Sequence, residues 1–112
     1  MFIDEKDADI ARIIYNFFKS VENKWGDFWR VGQTGNILNK TTGFGALMRF
    51  LRPCYLSVGK FEKIVDLSEF DKIFEKINIS GDLFTPDIYL PGASGENKLF
   101  KELCEQAGLT DL

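Results

Sequence analysis

The chain has 112 residues, of which 45% are hydrophobic, 14% aromatic and 28% charged, and its formal net charge is −3. This length and composition predict a single compact domain and exclude a largely disordered or collagen-like chain. The sequence has no apolar run long enough for a membrane span and no signal-peptide pattern at its start, so we expect a cytoplasmic protein without a membrane partner.

Histidine is absent from the sequence. Its absence removes the usual base of serine and cysteine hydrolases and the commonest nitrogen ligand of metal ions. The two cysteines, Cys54 and Cys104, are too few for a structural zinc site. We therefore expect two unpaired thiols, no cofactor, no metal and no enzymatic activity, although chemistry by lysines or carboxylates stays open.

Charge is distributed unevenly along the sequence. The segment 28–61 contains no aspartate or glutamate and has a formal charge of +5, which leaves −8 for the rest of the chain. Such segregation favours an anion-binding surface. The alternative is a basic segment whose charges pair with acidic residues elsewhere in the fold. The five cations of the segment are Arg30, Lys40, Arg49, Arg52 and Lys60.

The first predicted helix covers about 4–25. Acidic residues crowd its start, where they complement the helix dipole, and Asp4 is the candidate N-cap. Gly26 is the candidate stop. Apolar residues recur at helical spacing and predict a wide buried stripe. The residues of this stripe are Ile10, Ile13, Ile14, Phe17, Phe18, Val21 and Trp25.

The composition of residues 26–43 predicts a glycine-rich loop, and a short β-hairpin around 34–36 is an alternative. A second helix follows Thr42, and Pro53 is expected to end it or to begin an irregular turn. The predicted buried stripe of this helix is Phe44, Leu47, Met48 and Leu51.

A third helix is predicted over about 68–77, where Ser68 and Asp71 resemble a capping box. Residues 78–94 are expected to be irregular, with short extended pieces at 83–84 and 88–90. The predicted buried stripe of the third helix is Phe70, Ile73, Phe74 and Ile77.

The last predicted helix has Ser94 as its candidate N-cap and Gly108 as its C-terminal stop. Its buried stripe is predicted to be Leu99, Phe100, Leu103 and Ala107. The predicted fold is therefore mainly α, with about four helices joined by long glycine-rich loops.

Two glycine- and hydroxyl-rich turns open predicted helices, and free backbone N–H groups at such places bind anions. Neither turn has the residue order of a P-loop, and ordinary helix capping explains both without a ligand. The candidate binding residues of the first are Lys40, Thr41, Thr42 and Gly43, to which the other four cations of 28–61 add positive charge. Those of the second are Ser94, Gly95 and Lys98.

Segments 37–49 (ILNKTTGFGALMR) and 92–100 (GASGENKLF), after a helix that ends in Lys24-Trp25, resemble the C-terminal portion of DGQHR-domain proteins. That bacterial family is linked by resemblance to DndB-like proteins associated with DNA phosphorothioation, so the resemblance implies a DNA-related role. The Asp-Gly-Gln-His-Arg motif itself is missing, and no catalytic residue is implied. The matching residues are Thr41, Thr42, Gly43, Ala46, Leu47, Ser94, Gly95 and Leu99.

Two non-catalytic functions are open at this point, besides the chemistry by lysines or carboxylates. The first is a non-catalytic module that binds an anionic partner, with nucleic acid as the candidate, through segment 28–61. The second is a protein-interaction or self-associating structural domain, which the content of 11 Phe and 2 Trp favours. In the second case the partner is another copy or a separate first half of a larger domain.

Overall fold

A computed structural model of the chain describes residues 5–30, 36–38, 40–58 and 66–109. The described part is mainly α, as predicted, and contains no strand. Residues 34–35 of the alternative hairpin and the candidate cap Asp4 lie outside the described residues. The helices are α1 (Glu5–Arg30), α2 (Thr41–Val58), α3 (Leu67–Glu75) and α4 (Ala93–Ala107), with a 3₁₀ turn at Gly81–Leu83.

Phe17 on α1 is the centre of the core. It is fully buried, and its ring contacts Phe70 and Phe74 of α3 at centroid distances of 5.4 and 5.5 Å. The ring centroid of Phe50, on α2, lies 6.3 Å from that of Phe17 and 5.8 Å from that of Phe74. These four rings pack α1, α2 and α3 together, while α4 packs against α2.

The predicted stripe of α1 is buried only from its middle onward. Phe17, Val21 and Trp25 are buried, but Ile10 is 54% exposed, so its assignment to the core is wrong. The described contacts of α1 are mainly with α3, which is shorter than α1 and cannot cover its whole length.

A break at Trp25 bends α1, because the backbone angles of this residue (φ −125°, ψ 39°) are not helical. Phe18 and Trp29 would be separated by about 16 Å along a straight helix. Their ring centroids are only 5.3 Å apart, so the chain changes direction at the break. The indole Nε1 of Trp25 donates to the carbonyl of Ile79 at 2.9 Å and fixes this point. The first helical stretch therefore ends at Trp25, as predicted. Helical residues follow to Arg30, so Gly26 does not stop the helix, and the start of the predicted loop 26–43 is helical.

Helix α2 differs from its prediction in both bounds and phase. It begins at Thr41, so the end of the predicted loop 26–43 is helical, and it passes through Pro53 to Val58. Phe44 and Met48, predicted to be buried, are 47% and 38% exposed. Small side chains on the opposite side let neighbouring segments approach closely and so decide which face is buried. The buried residues are Thr42, Gly43, Ala46, Leu47, Phe50 and Cys54.

The stripe predicted for α3 is confirmed, but the predicted capping box is wrong. The N-cap is Asp66, and its carbonyl accepts the backbone N–H of Glu69 at 3.1 Å. Asp71 instead accepts a hydrogen bond from the hydroxyl of Ser20 at 2.5 Å, which ties α3 to α1. The four stripe residues Phe70, Ile73, Phe74 and Ile77 are all buried.

The segment before α4 consists of turns rather than the extended pieces predicted at 83–84 and 88–90. The N-cap of α4 is Gly92 and not Ser94, because the chain turns into the helix with a positive φ of 96° that glycine adopts without strain. Gly108 ends the helix in the left-handed region (φ 75°), as predicted. Leu99, Leu103 and Ala107 of the predicted stripe are buried, whereas Phe100 is only partly buried.

Candidate nucleic-acid interface

The start of α2 is fixed by the buried segment 36–38. The side chain of Asn36 donates to the carbonyl of Gly81 at 2.8 Å and accepts the N–H of Leu38 at 2.9 Å. The N–H of Ile37 donates to the carbonyl of Phe84 at 2.8 Å. A Cβ at Gly43 would overlap the carbonyl oxygens of residues 37 and 38, so glycine is required for this close packing.

The two threonines occupy the first turn of α2 rather than its cap. The carbonyl of Lys40 accepts the N–H of Phe44 at 2.8 Å, which makes Lys40 the N-cap position. Thr42 and Gly43 are buried, whereas the side chains of Lys40 and Thr41 are exposed. Of the four candidate residues at this helix start, only those two are therefore open to a ligand.

One exposed surface extends along α2, and we call it the α2 outer face. Helix α2 contains no aspartate or glutamate, so every formal charge on this face is positive. Among the described residues, no carboxylate lies within ion-pair distance of Lys40 or Arg52. The α2 outer face consists of Lys40, Thr41, Phe44, Met48, Arg49, Arg52 and Leu56.

Arg49 links the α2 outer face to α4. Its Nη1 donates to Oδ1 of Asn97 at 2.5 Å and lies 3.8 Å from a carboxylate oxygen of Glu96. Its guanidinium carbon lies 4.5 Å from the ring centroid of Phe100. These contacts hold the guanidinium in place, although 43% of the side chain remains exposed.

A groove of about 680 Å³ lies between α2 and α4, next to the α2 outer face. Its charged residues are Arg49, Arg52, Lys101 and Glu105, so its formal charge is positive. The apolar part of the groove is Met48, Pro53, Leu56, Phe100, Cys104 and Leu109. The groove therefore combines cations with apolar surface along one side of α2.

Three aromatic rings lie at the other edge of the α2 outer face. Phe18 stacks with Phe44 at a centroid distance of 5.5 Å and an interplanar angle of 10°. It also stacks with Trp29 at 5.3 Å and 16°. The ring of Phe17 meets Phe18 edge-on at 5.1 Å, which fixes this aromatic stack to the core.

The second candidate helix start is occupied by the chain itself. A Cβ at Gly95 would overlap the backbone of Leu90, whose carbonyl carbon would lie 2.7 Å away. The Nζ of Lys98 donates to the carbonyl of Ile88 at 2.9 Å. Ser94 is exposed in the first turn of α4. These contacts give Gly95 and Lys98 structural roles that require no ligand.

Three of the predicted cations, Lys40, Arg49 and Arg52, are exposed on the α2 outer face. Arg49 pairs with Glu96, as the alternative interpretation of segment 28–61 expects. The side chain of Arg30 and the whole of Lys60 lie outside the described residues. Sequence reasoning missed Lys101, which is remote from segment 28–61, and it placed Phe44 in the core. The four-residue spacing of Lys40, Phe44, Met48 and Arg52 was the signal that these residues share a face.

Both thiols are free and buried, as predicted. Burial raises the pKa of the Cys54 thiol, and the nearby thiol of Cys104 raises it further. Burial likewise raises the pKa of Cys104, against the opposite effect of Arg49. A thiol with a raised pKa is mostly protonated at neutral pH and is a poor nucleophile.

The described residues contain no cluster of three or more histidine, cysteine, aspartate or glutamate side chains that could hold a metal ion. None of the described helices combines the length and the apolar character that crossing a membrane requires. Comparisons with protein-family models, with curated proteins and with solved structures found no match for this chain.

Proposed function

We propose that this protein is a non-catalytic module that binds nucleic acid through the α2 outer face. The observation that carries the proposal is the charge of this face. Lys40, Arg49 and Arg52 are exposed on it, α2 has no acidic residue, and of these three cations only Arg49 is paired with a described carboxylate, that of Glu96. Lysine and arginine side chains bind phosphates irrespective of base sequence and displace the counterions around them. Binding should therefore weaken steeply as the salt concentration rises.

The charge of the remaining chain supports one orientation of binding. Segment 28–61 has a formal charge of +5, and the rest of the chain has −8. The acidic remainder repels a polyanion, whereas the α2 outer face attracts it. A nucleic acid therefore approaches by this face, and the net charge of −3 is compatible with local binding.

The resemblance to DGQHR-domain proteins supports the same partner. The motif from Thr41 to Leu47 that carries the resemblance forms the first part of α2. DndB-like proteins are associated with DNA phosphorothioation, and membership of this wider group remains part of the proposal.

A salt titration of binding tests the proposed function. Fluorescence anisotropy of a labelled oligonucleotide should give a dissociation constant that rises steeply between about 50 and 200 mM salt. Arg52→Gln should weaken binding and reduce the slope of log K against log salt by about one. Arg12→Gln is the matched control, because Arg12 is exposed on α1 and should leave the slope unchanged. Absence of binding at low salt would contradict the proposal.

A second candidate function is a protein-interaction or self-associating domain. It is favoured by the apolar side chains of the α2 outer face, because Phe44, Met48 and Leu56 are each more than one-third exposed. Aromatic, methionine and arginine side chains are typical of protein interfaces. Light scattering over increasing protein concentration tests self-association, and a strictly monomeric mass at every concentration would contradict it.

A further inference from the structure

We propose that Phe44 is a stacking platform for an unpaired base, so that the protein prefers single-stranded to duplex nucleic acid. This inference rests on the proposed function and adds the class of nucleic acid to it. Phe44 is 47% exposed although its ring is stacked on Phe18. Because Phe18 covers only part of this ring, nearly half of the Phe44 side chain remains exposed and offers surface on which a base can stack.

The ring is held in position before any ligand arrives. Phe44 stacks on Phe18 at an interplanar angle of 10°, and Phe18 in turn contacts Trp29 and the buried Phe17. Trp29 reaches Phe18 because α1 bends at Trp25. A ring fixed in this way loses little side-chain entropy on binding, which favours affinity.

Cations lie one and two turns from Phe44 on the same face. Lys40 precedes it by four residues, and Arg52 follows it by eight. A phosphate beside a base stacked on Phe44 is therefore within reach of a positive charge. Nonspecific binding of single strands combines such cations with aromatic rings on which bases stack. In a duplex the bases are already stacked on each other, so that only phosphates would contact this face.

The test compares three ligands with the same number of phosphates per strand. Anisotropy is measured for a single-stranded oligonucleotide, an abasic strand of equal length and a duplex of the same sequence. The wild type should bind the single strand most tightly. Phe44→Leu keeps an apolar side chain but removes the ring, and it should weaken single-strand binding about tenfold, to the abasic level. Phe44→Trp should retain the preference for the single strand.

The controls separate this inference from the proposed function. Tyr15→Leu removes an exposed aromatic ring that lies on α1, outside the α2 outer face, and should leave the single-strand to abasic ratio unchanged. Salt-dependent binding of equal strength to all three ligands would overturn the role of Phe44 while leaving the proposed function intact. Undiminished single-strand binding by Phe44→Leu would also overturn it. Failure to bind any of the three ligands would overturn the proposed function itself.

Discussion

Gly43 and Gly45 of α2 have different neighbours, so replacing each of them by alanine should affect the stability of the protein differently. A Cβ at Gly43 meets backbone carbonyls of residues 37 and 38, which cannot move without shifting the buried segment. Gly43→Ala should therefore lower the free energy of unfolding by about 1–3 kcal/mol, despite the higher helix propensity of alanine. Urea denaturation measures this loss.

Gly45→Ala is the matched control for that substitution. A Cβ at Gly45 meets the end of the Glu96 side chain, which can rotate away at small cost. Because alanine favours a helix interior by up to about 1 kcal/mol over glycine, Gly45→Ala should be neutral or stabilising. Equal losses for the two variants would show that segment 36–38 is not packed against α2 as described.

Among the core residues, Phe17 is expected to contribute most to the free energy of unfolding. It is fully buried among the rings of α2 and α3, so Phe17→Ala should lower the free energy of unfolding by about 3–5 kcal/mol. Tyr15 lies on the same helix and is 66% exposed, so Tyr15→Ala should change it by no more than about 0.5 kcal/mol. A loss of less than about 1 kcal/mol for Phe17→Ala would place this side chain outside the core.

Helix α2 contains a proline, Pro53, which destabilises a helix interior. Pro53 lies inside the helix and has no N–H to donate to the carbonyl of Arg49. Replacing proline by alanine restores that hydrogen bond, and proline costs about 3 kcal/mol relative to alanine in a helix interior. Pro53→Ala should therefore raise the urea midpoint. An unchanged or lower midpoint would mean that the contacts of the pyrrolidine ring in the groove outweigh the lost hydrogen bond.

The same helix shows why its phase could not be predicted from hydrophobic spacing. The stripe predicted for α3 is correct because its buried residues are large and apolar. Phe70, Ile73 and Phe74 fill the space between helices. In α2, Gly43 and Ala46 form part of the buried face instead. Where the backbone of a neighbouring segment comes close to a helix, only small residues fit between them. A prediction based on large apolar residues overlooks such small residues. That is why Phe44 was predicted to be in the core and not at the candidate site.

The stability of the whole protein should fall in alkali, because two thiols and one phenol are buried. Burial raises the pKa of Cys54, Cys104 and Tyr89, and the phenol of Tyr89 also donates to Glu102 at 2.5 Å. Because the unfolded chain releases these protons at lower pH than the folded protein, stability is complete below the ordinary thiol value of 9.0 and falls above it.

Urea midpoints measured at successive pH values test this expectation. The midpoint should fall as the pH rises through the ordinary thiol value of 9.0 and then the ordinary phenol value of 10.0. Tyr89→Phe removes the phenol and should reduce the part of the fall above the phenol value. A midpoint that does not change across this range would contradict the raised pKa values.

The parts of the site that could be predicted are those that lie close together in the sequence. Lys40, Arg49 and Arg52 belong to one acid-free segment, so their common positive surface was predictable from local charge. Lys101 reaches the same groove only through the packing of α4 against α2. The stack of Trp29 on Phe18 depends on the bend at Trp25, which no local sequence pattern indicated.

Amide chemical-shift mapping tests the proposal that the α2 outer face binds nucleic acid. A ¹⁵N-labelled sample is titrated with a single-stranded oligonucleotide at low salt, and perturbed amides are assigned along the chain. We predict the largest shifts at residues 40–56 and at the Trp29 indole, with Lys72 of α3 and its C-cap Lys76 unchanged. Shifts concentrated on α3, or a spectrum that does not change at saturating oligonucleotide, would contradict the claim.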